Sequence, residues 1–287
     1  MFEKILGNET VKKSLINSIK SGNISHSYLF VGKSGIGKKL FAKELAKKAM
    51  CLGTNDCESC VKFEAGSNPD FSIISPDGKT LKIDQIRNMQ ARIVEKPIVA
   101  NKKVYIIDGS ECMSEESQNC LLKTLEEPPE YAMIILLCSN ESKILQTIKS
   151  RCVIIKFDEL TDEQIKNKLN TDDELIIKLC NGSLENADKI ASKKDSYILL
   201  KKLADLLEKG DLLSAFKEAE LLYSAKDDIM NLLDFLTIIF FEKSKTNIKC
   251  AKAISIIEET KKKVISNNNF DMSVDYMLMK IVEECNG

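Results

Sequence analysis

A lysine behind three glycines is the first group in this chain whose type and spacing suit chemistry. Gly32-Lys33-Ser34-Gly35-Ile36-Gly37-Lys38 has the spacing of a phosphate-binding loop. In such a loop the glycines let consecutive backbone N–H groups converge on phosphate oxygens, and the lysine brings a point charge to the outer phosphates. The full pattern continues with Ser or Thr, whose hydroxyl holds Mg²⁺. This chain has Lys39 there. An ammonium at that position repels a divalent cation and removes a ligand oxygen. Asp108 is the second candidate, at the end of KKVYIID (102–108), where an acid can organise the water shell of Mg²⁺. Many ATPases place Glu next, to polarise the attacking water; here Gly109 follows, and Glu111 falls two further on. Standing alone, Asp108 is an acid closing a strand before a glycine turn. With a phosphate loop upstream it reads as part of a nucleotide site. Two hydrolytic parts are replaced, so the cradle is present and the equipment for turnover is not.

A third constellation is CLGTNDCESC (51–60), with Cys51, Cys57 and Cys60. Structural zinc takes four tetrahedral ligands, and C-x-x-C gives two from one tight knuckle. Three cysteines leave one position open, with Asp56 or Glu58 as makeshift ligands. Zinc and a small loop of free thiols both remain open; a redox pair is the weaker reading, because the surroundings are not thioredoxin-like. His26, the only histidine, reads as structural rather than as an acid or base.

The elements that must position these residues follow from periodicity. The run 28–31 (YLFV) is a short apolar strand leading into the loop, and Leu40, Phe41, Leu45 and Ala49 form a helical stripe after it. Strand, glycine turn, helix is the context a phosphate loop requires. Further strands are predicted at 71–75, 102–108, 133–138 and 153–157. Helices are predicted over 9–20, from Ile83 to before Pro97, and from an N-cap at Ser114 to Pro128-Pro129. Five apolar strands alternating with helices imply a parallel sheet covered on both faces, with ligand at the strands' carboxyl ends. From Leu160 the pattern is helical only, opened by a capping box at Thr161 and Gln164. Leu199, Leu200, Leu203, Leu206 and Leu207 begin the later stripes, with breaks at 210–211, 225–228, 246–247 and 267–269.

At 287 residues the chain suits two or three domains, and 44% hydrophobic with 30% charged residues is an ordinary globular balance. A net charge of −1 gives no strongly basic surface for gripping DNA alone. The N-terminus lacks the apolar core of a signal peptide, and the apolar run 232–241 carries Asp234 and is too short to span a bilayer. The ten cysteines therefore read as reduced thiols, and the expected location is the cytoplasm, with no membrane partner.

The motif series HSYLFVGKSGIGKK (26–39), NPDF (68–71), KIDQIRNM (82–89), VYIID (104–108), NCLLKTLEEPPE (119–130) and IKSRC (148–152) resembles bacterial clamp-loader subunits of the AAA+ type. Among these it is most similar to the delta-prime family of DNA polymerase III. The series spans about the first 155 residues; the rest matches in length and helical character. The resemblance implies an AAA+ P-loop domain with a five-stranded parallel sheet over 1–158, carrying the cysteine loop 51–60. It also implies a small helical lid domain over 159–194 and an all-α collar domain over 195–287, used for oligomerisation. Arg151 would reach into a neighbouring subunit's ATP site as an arginine finger, which contributes about 10³–10⁵ in rate in related systems. The implied partners are gamma/tau motor subunits and a delta subunit in a heteropentamer, acting on a sliding clamp and primed DNA.

The departures separate this chain from a motor subunit. Lys39 and Gly109 stand where a hydroxyl and an acid are expected, and GSLENA (182–187) has Glu185 and Asn186 where motor subunits place a nucleotide-touching arginine. The family's zinc module has four cysteines, and Thr54 occupies the fourth position. The expectation is a non-hydrolysing clamp-loader subunit with a degenerate site at Gly32, Gly35, Gly37, Lys38, Lys39 and Asp108. ATP or ADP binding and zinc are left open. The alternative is an autonomous AAA+ ATPase or a gamma/tau-type motor subunit using Lys38 and Asp108 with Glu111; a phosphate- or DNA-binding module without a loader is third.

Overall fold

The computed structural model describes residues 2–3, 5–53, 56–266 and 269–286. The chain divides into two compact units, Met1–Ile165 with Gly182–Glu185 and Lys166–Asn181 with Asn186–Gly287.

The first unit is built on five parallel strands. In chain order its elements are α1 (Glu9–Lys20), β1 (Ser27–Val31), α2 (Lys38–Met50), α3 (Glu58–Glu64), β2 (Phe71–Ile74), α4 (Ile83–Ile93), β3 (Lys103–Asp108), α5 (Glu115–Glu126), β4 (Ala132–Cys138), α6 (Gln146–Lys149) and β5 (Val153–Lys156). The sheet order is β2-β3-β4-β1-β5, with every neighbouring pair parallel. Successive side chains of a strand point to opposite faces, and both faces here are apolar. Phe30, Val104, Ile106, Met133 and Ile135 face a layer that includes Leu15 of α1 and Phe41 and Leu45 of α2. Leu29, Val31, Ile107, Ile134 and Leu136 face the layer of Ile86 and Met89 from α4 and Leu121 and Leu125 from α5. That is why these strands read as continuous apolar runs.

All five strands fall where the sequence predicts, with ends shifted by one residue, and β5 departs in burial. Val153 and Ile154 are 48% and 38% exposed, because β5 pairs with β1 on one side only. The Ser114 cap is present: its side chain accepts from Ser117 N. The Thr161 box also forms, with Thr161 N donating to Gln164 Oε1 at 3.0 Å and Gln164 N to Thr161 Oγ1 at 3.3 Å.

Beyond β5 the described residues form helices and turns: α7 (Asp162–Leu169), α8 (Glu174–Cys180), α9 (Leu184–Ser192), α10 (Lys194–Lys209), α11 (Leu212–Glu218), α12 (Glu220–Ser224), α13 (Ile229–Ser244), α14 (Ala251–Ile265) and α15 (Phe270–Asn286). In the second unit α10 packs against α13 and α15, and α14 against both of those; Leu200, Leu203 and Leu207 of α10, Leu232, Leu236 and Phe240 of α13, Ile257 of α14 and Leu278 of α15 are all buried. Leu199, counted in the α10 stripe, lies on its outer side at 37% exposure. Gly210 ends α10 at φ +80°, in the left-handed region, and Asp211 caps α11 by accepting from Ser214 N. The breaks at 225–228 and 246–247 are both found; residues 267 and 268 of the last one lie outside the described residues. No described helix is long and apolar enough to cross a membrane.

Candidate nucleotide site, cysteine cluster and surface arginine

The topology brings the predicted nucleotide residues together. β1 and β4 are neighbours, and the crossover after β1 runs to β2 on one side while the crossover after β4 runs to β5 on the other, which leaves a crevice at their carboxyl ends. The loop 32–37 leaves β1 there, and Gly32 N donates to Cys138 O at 3.1 Å across the sheet. Asp108 ends β3, in register with Leu137 of β4, on the same rim. Gly35 and Gly37 have φ of +77° and +98°, which L side chains rarely adopt.

The cationic side chains at this loop already have partners. Lys38, 9% exposed, folds back so that Nζ donates to Gly32 O and Lys33 O, each at 2.6 Å. Burial pushes its ammonium below the ordinary value, and Glu111, then Cys138 and Asp108, pull it back up. Lys39 Nζ lies 2.9 Å from Asp108 Oδ2. The cation that replaces the hydroxyl thus bonds the acid that would serve the metal. Lys33 pairs with Glu159 at 2.6 Å. Glu111 reaches the rim from the turn after β3; one carboxylate oxygen bonds the Ser139 hydroxyl, and the other, Oε2, is buried without a hydrogen-bond partner.

The segment Gly182–Glu185, part of the same unit, sits against the loop. Glu185 N donates to Gly35 O at 2.9 Å, and a Cβ on Gly35 would fall 2.3 Å from Ser183 Oγ and 3.3 Å from Glu185 Oε2. A carboxylate therefore stands beside the phosphate cradle where an arginine would attract phosphate.

The three cysteines also converge. The sulfurs of Cys51, Cys57 and Cys60 lie within 4.8 Å of one another. Tetrahedral Zn–S bonds of about 2.3 Å set sulfurs about 3.8 Å apart, so the donor set fits three corners of a zinc site. The makeshift acids do not join it: the cluster holds cysteines alone, and Glu58 pairs with Lys62 at 2.7 Å. Thr54 lies outside the described residues. Cys57, at the N-cap of α3, is drawn down to about 7 by hydrogen bonds with the Leu52 and Cys60 backbone; burial, and then hydrogen bonds to Cys51 and Cys57, push Cys60 up to about 12.

Arg151 is not part of the loop site. It precedes β5, and its backbone O accepts from Ser27 Oγ at 2.6 Å, at the opposite end of β1 from Gly32. Five residues at about 3.3 Å each put some 16 Å of strand between them. Arg151 lines an open cleft of about 490 Å³ with His26, Leu125, Glu126 and Ser150. Sequence reasoning missed four contributors: Glu126, Glu159, Ser139 and the Ser183 contact. Glu126 was inside a quoted motif, but nothing in that motif says which cation it meets.

The parallel sheet, the glycine loop with its lysine, and the acid on the neighbouring strand end define a P-loop protein of the AAA+ type. Residues 7–161 match the profile of the family described as DNA polymerase III, delta subunit, and the chain belongs to that family. Among its relatives is the delta' subunit of DNA polymerase III from Bacillus subtilis (strain 168), 39% identical over 164 residues, covering 55% of this chain and 50% of that protein. A gamma/tau subunit from Mycoplasma genitalium is 29% identical over 324 residues, covering 99% of this chain and 53% of that protein. The chain thus spans about half the length of these curated relatives. The crystal structure of a DNA polymerase III gamma subunit-related protein from Thermotoga maritima covers 95% of this chain and 99% of its own at a TM-score of 0.57 and 18% identity, which shows a shared fold. The expectation of a DNA polymerase III clamp-loader family is borne out.

Proposed function

We propose that this chain is a non-hydrolysing subunit of a DNA polymerase III clamp loader. In this reading it works in the cytoplasm in a heteropentamer with gamma/tau-type motor subunits and a delta subunit, and the assembly places a sliding clamp on primed DNA. Its divisions are an AAA+ domain (1–158), a lid (159–194) and a helical collar (195–287). The observation that carries the reading is the Lys39–Asp108 ion pair, which uses up the acid of the metal position. Lys38 is also committed to the carbonyls of its own loop, a contact that a nucleotide phosphate must displace. Arg151 lies too far along β1 to serve its own loop, which supports a role in trans. There it would neutralise charge on the γ-phosphate of a neighbouring ATPase subunit. Zinc, held by Cys51, Cys57 and Cys60, would brace the cysteine loop and take no part in turnover.

A second reading, an autonomous ATPase or motor subunit, is favoured by one observation: Glu111 has a buried carboxylate oxygen without a partner, on the rim beside Lys38. ATP turnover by the isolated chain separates the two. No turnover supports the first reading, and turnover abolished by Glu111→Gln establishes the second.

A further inference from the structure

Both terminal nitrogens of Arg151 are engaged inside the chain. Nη1 donates to Thr147 O at 2.8 Å and to Ser150 Oγ at 3.3 Å. Nη2 forms an ion pair with Oε1 of Glu126, the last residue of α5. Glu127 and Pro128-Pro129 follow, so α5 ends at Glu126, beside the cleft that Arg151 also lines. The Arg151 side chain is 33% exposed and that of Glu126 48%.

We propose that Glu126 is a positioning residue that latches Arg151 at rest and competes with the γ-phosphate of a neighbouring subunit's ATP for the same guanidinium. The inference rests on reading Arg151 as an arginine finger. A guanidinium presents its donors in a planar fork that matches one edge of a carboxylate or of a phosphate. The edge turned to Glu126 is closed to phosphate until the carboxylate lets go. Because the pair is part exposed it is weak, and a γ-phosphate with more negative charge displaces it. Thr147 O and Ser150 Oγ come from the arginine's own turn, so they can travel with it; Glu126 belongs to another element and cannot. The latch therefore lowers the fraction of the assembly ready to engage ATP, and apparent affinity falls by that fraction.

The test is steady-state ATP turnover, across ATP concentrations, by the assembly reconstituted with its motor subunits. The chains compared are wild type, Glu126→Gln, Arg151→Ala and the double variant. Glu126→Gln is expected to lower the half-saturating ATP concentration about two- to fivefold with kcat unchanged. That shift must vanish in the Arg151→Ala background. A fall in kcat, an unchanged half-saturation point, or the same shift with Arg151 absent overturns the latch. Arg151→Ala without effect on wild-type turnover overturns the finger reading, and the latch with it; slowed turnover in Arg151→Ala with an inert Glu126→Gln overturns the latch alone. If Glu126→Gln does not assemble, Glu126→Asp, which withdraws the carboxylate by one methylene, reads the same shift.

Discussion

Replacing Lys39 by threonine changes two things at the phosphate loop. It removes an ammonium held 2.9 Å from Asp108, and it supplies the hydroxyl that a complete loop offers to Mg²⁺. The loss of fold stability is small: the paired side chains are 46% and 33% exposed, and such pairs contribute about 0.2–1 kcal/mol. The effect on a metal is larger. A Mg²⁺ served by Asp108 would meet the ammonium that this carboxylate already holds at 2.9 Å. Charges of +1 and +2 about 4 Å apart repel by about 2 kcal/mol in bulk water and about 8 kcal/mol at an effective dielectric of about 20. Lysine can swing aside, which limits the penalty to the lower part of that range, with the missing ligand oxygen added. Lys39→Thr should therefore raise Mg²⁺-dependent nucleotide affinity at least about tenfold, or about 1.4 kcal/mol. Calorimetric titration of the isolated chain with ADP, in Mg²⁺ and in EDTA, measures this. The wild-type chain should bind ADP no better in Mg²⁺ than in EDTA, and the variant should bind it at least about tenfold better. A wild-type chain that already needs Mg²⁺, or a variant no more metal-dependent than its parent, would mean that Lys39 does not keep the metal out.

Two further outcomes follow from the first unit. Native mass spectrometry of the chain purified with zinc should show one bound ion, absent in Cys60→Ser; a metal-free wild-type chain would leave the three sulfurs as free thiols. Asp70 is 1% exposed, and its carboxylate accepts from the backbone N–H groups of Ile98, Val99 and Ala100 at 2.7–3.0 Å. Each orphaned donor costs about 1–3 kcal/mol, so Asp70→Ala should lower stability by about 3 kcal/mol or more in a denaturant melt; a loss under about 1 kcal/mol would mean that water replaces the carboxylate.

Local order was legible in the sequence because it is written in periods and caps. The β1–loop–α2 unit, Asp108 at the end of β3, the Ser114 cap and the Thr161–Gln164 box all lie within a few residues of the signals that announce them. What stayed hidden joins residues far apart in the chain. Lys39 and Asp108 were visible as two separate departures, yet 69 residues divide them, and no spacing rule pairs them. The Asp70 cradle spans 28 to 30 residues, and the Glu126–Arg151 pair links a helix end to a turn before an edge strand. An apolar run says nothing about whether a strand has one neighbour or two, so the exposed edge position of β5 does not show in it. Leu199 failed for a related reason: a stripe of five leucines is wider than the face α10 buries, so one is left outside.

The measurement that bears most directly on the account is ATP turnover by the loader reconstituted with motor subunits, clamp and primed DNA, comparing wild type with Arg151→Ala. The isolated chain is run alongside. The expected result is an inert isolated chain and an Arg151→Ala assembly that forms normally but turns over at least about tenfold more slowly, toward the 10³–10⁵ contributed by arginine fingers elsewhere. Turnover by the isolated chain, or an assembly indifferent to Arg151, would contradict it.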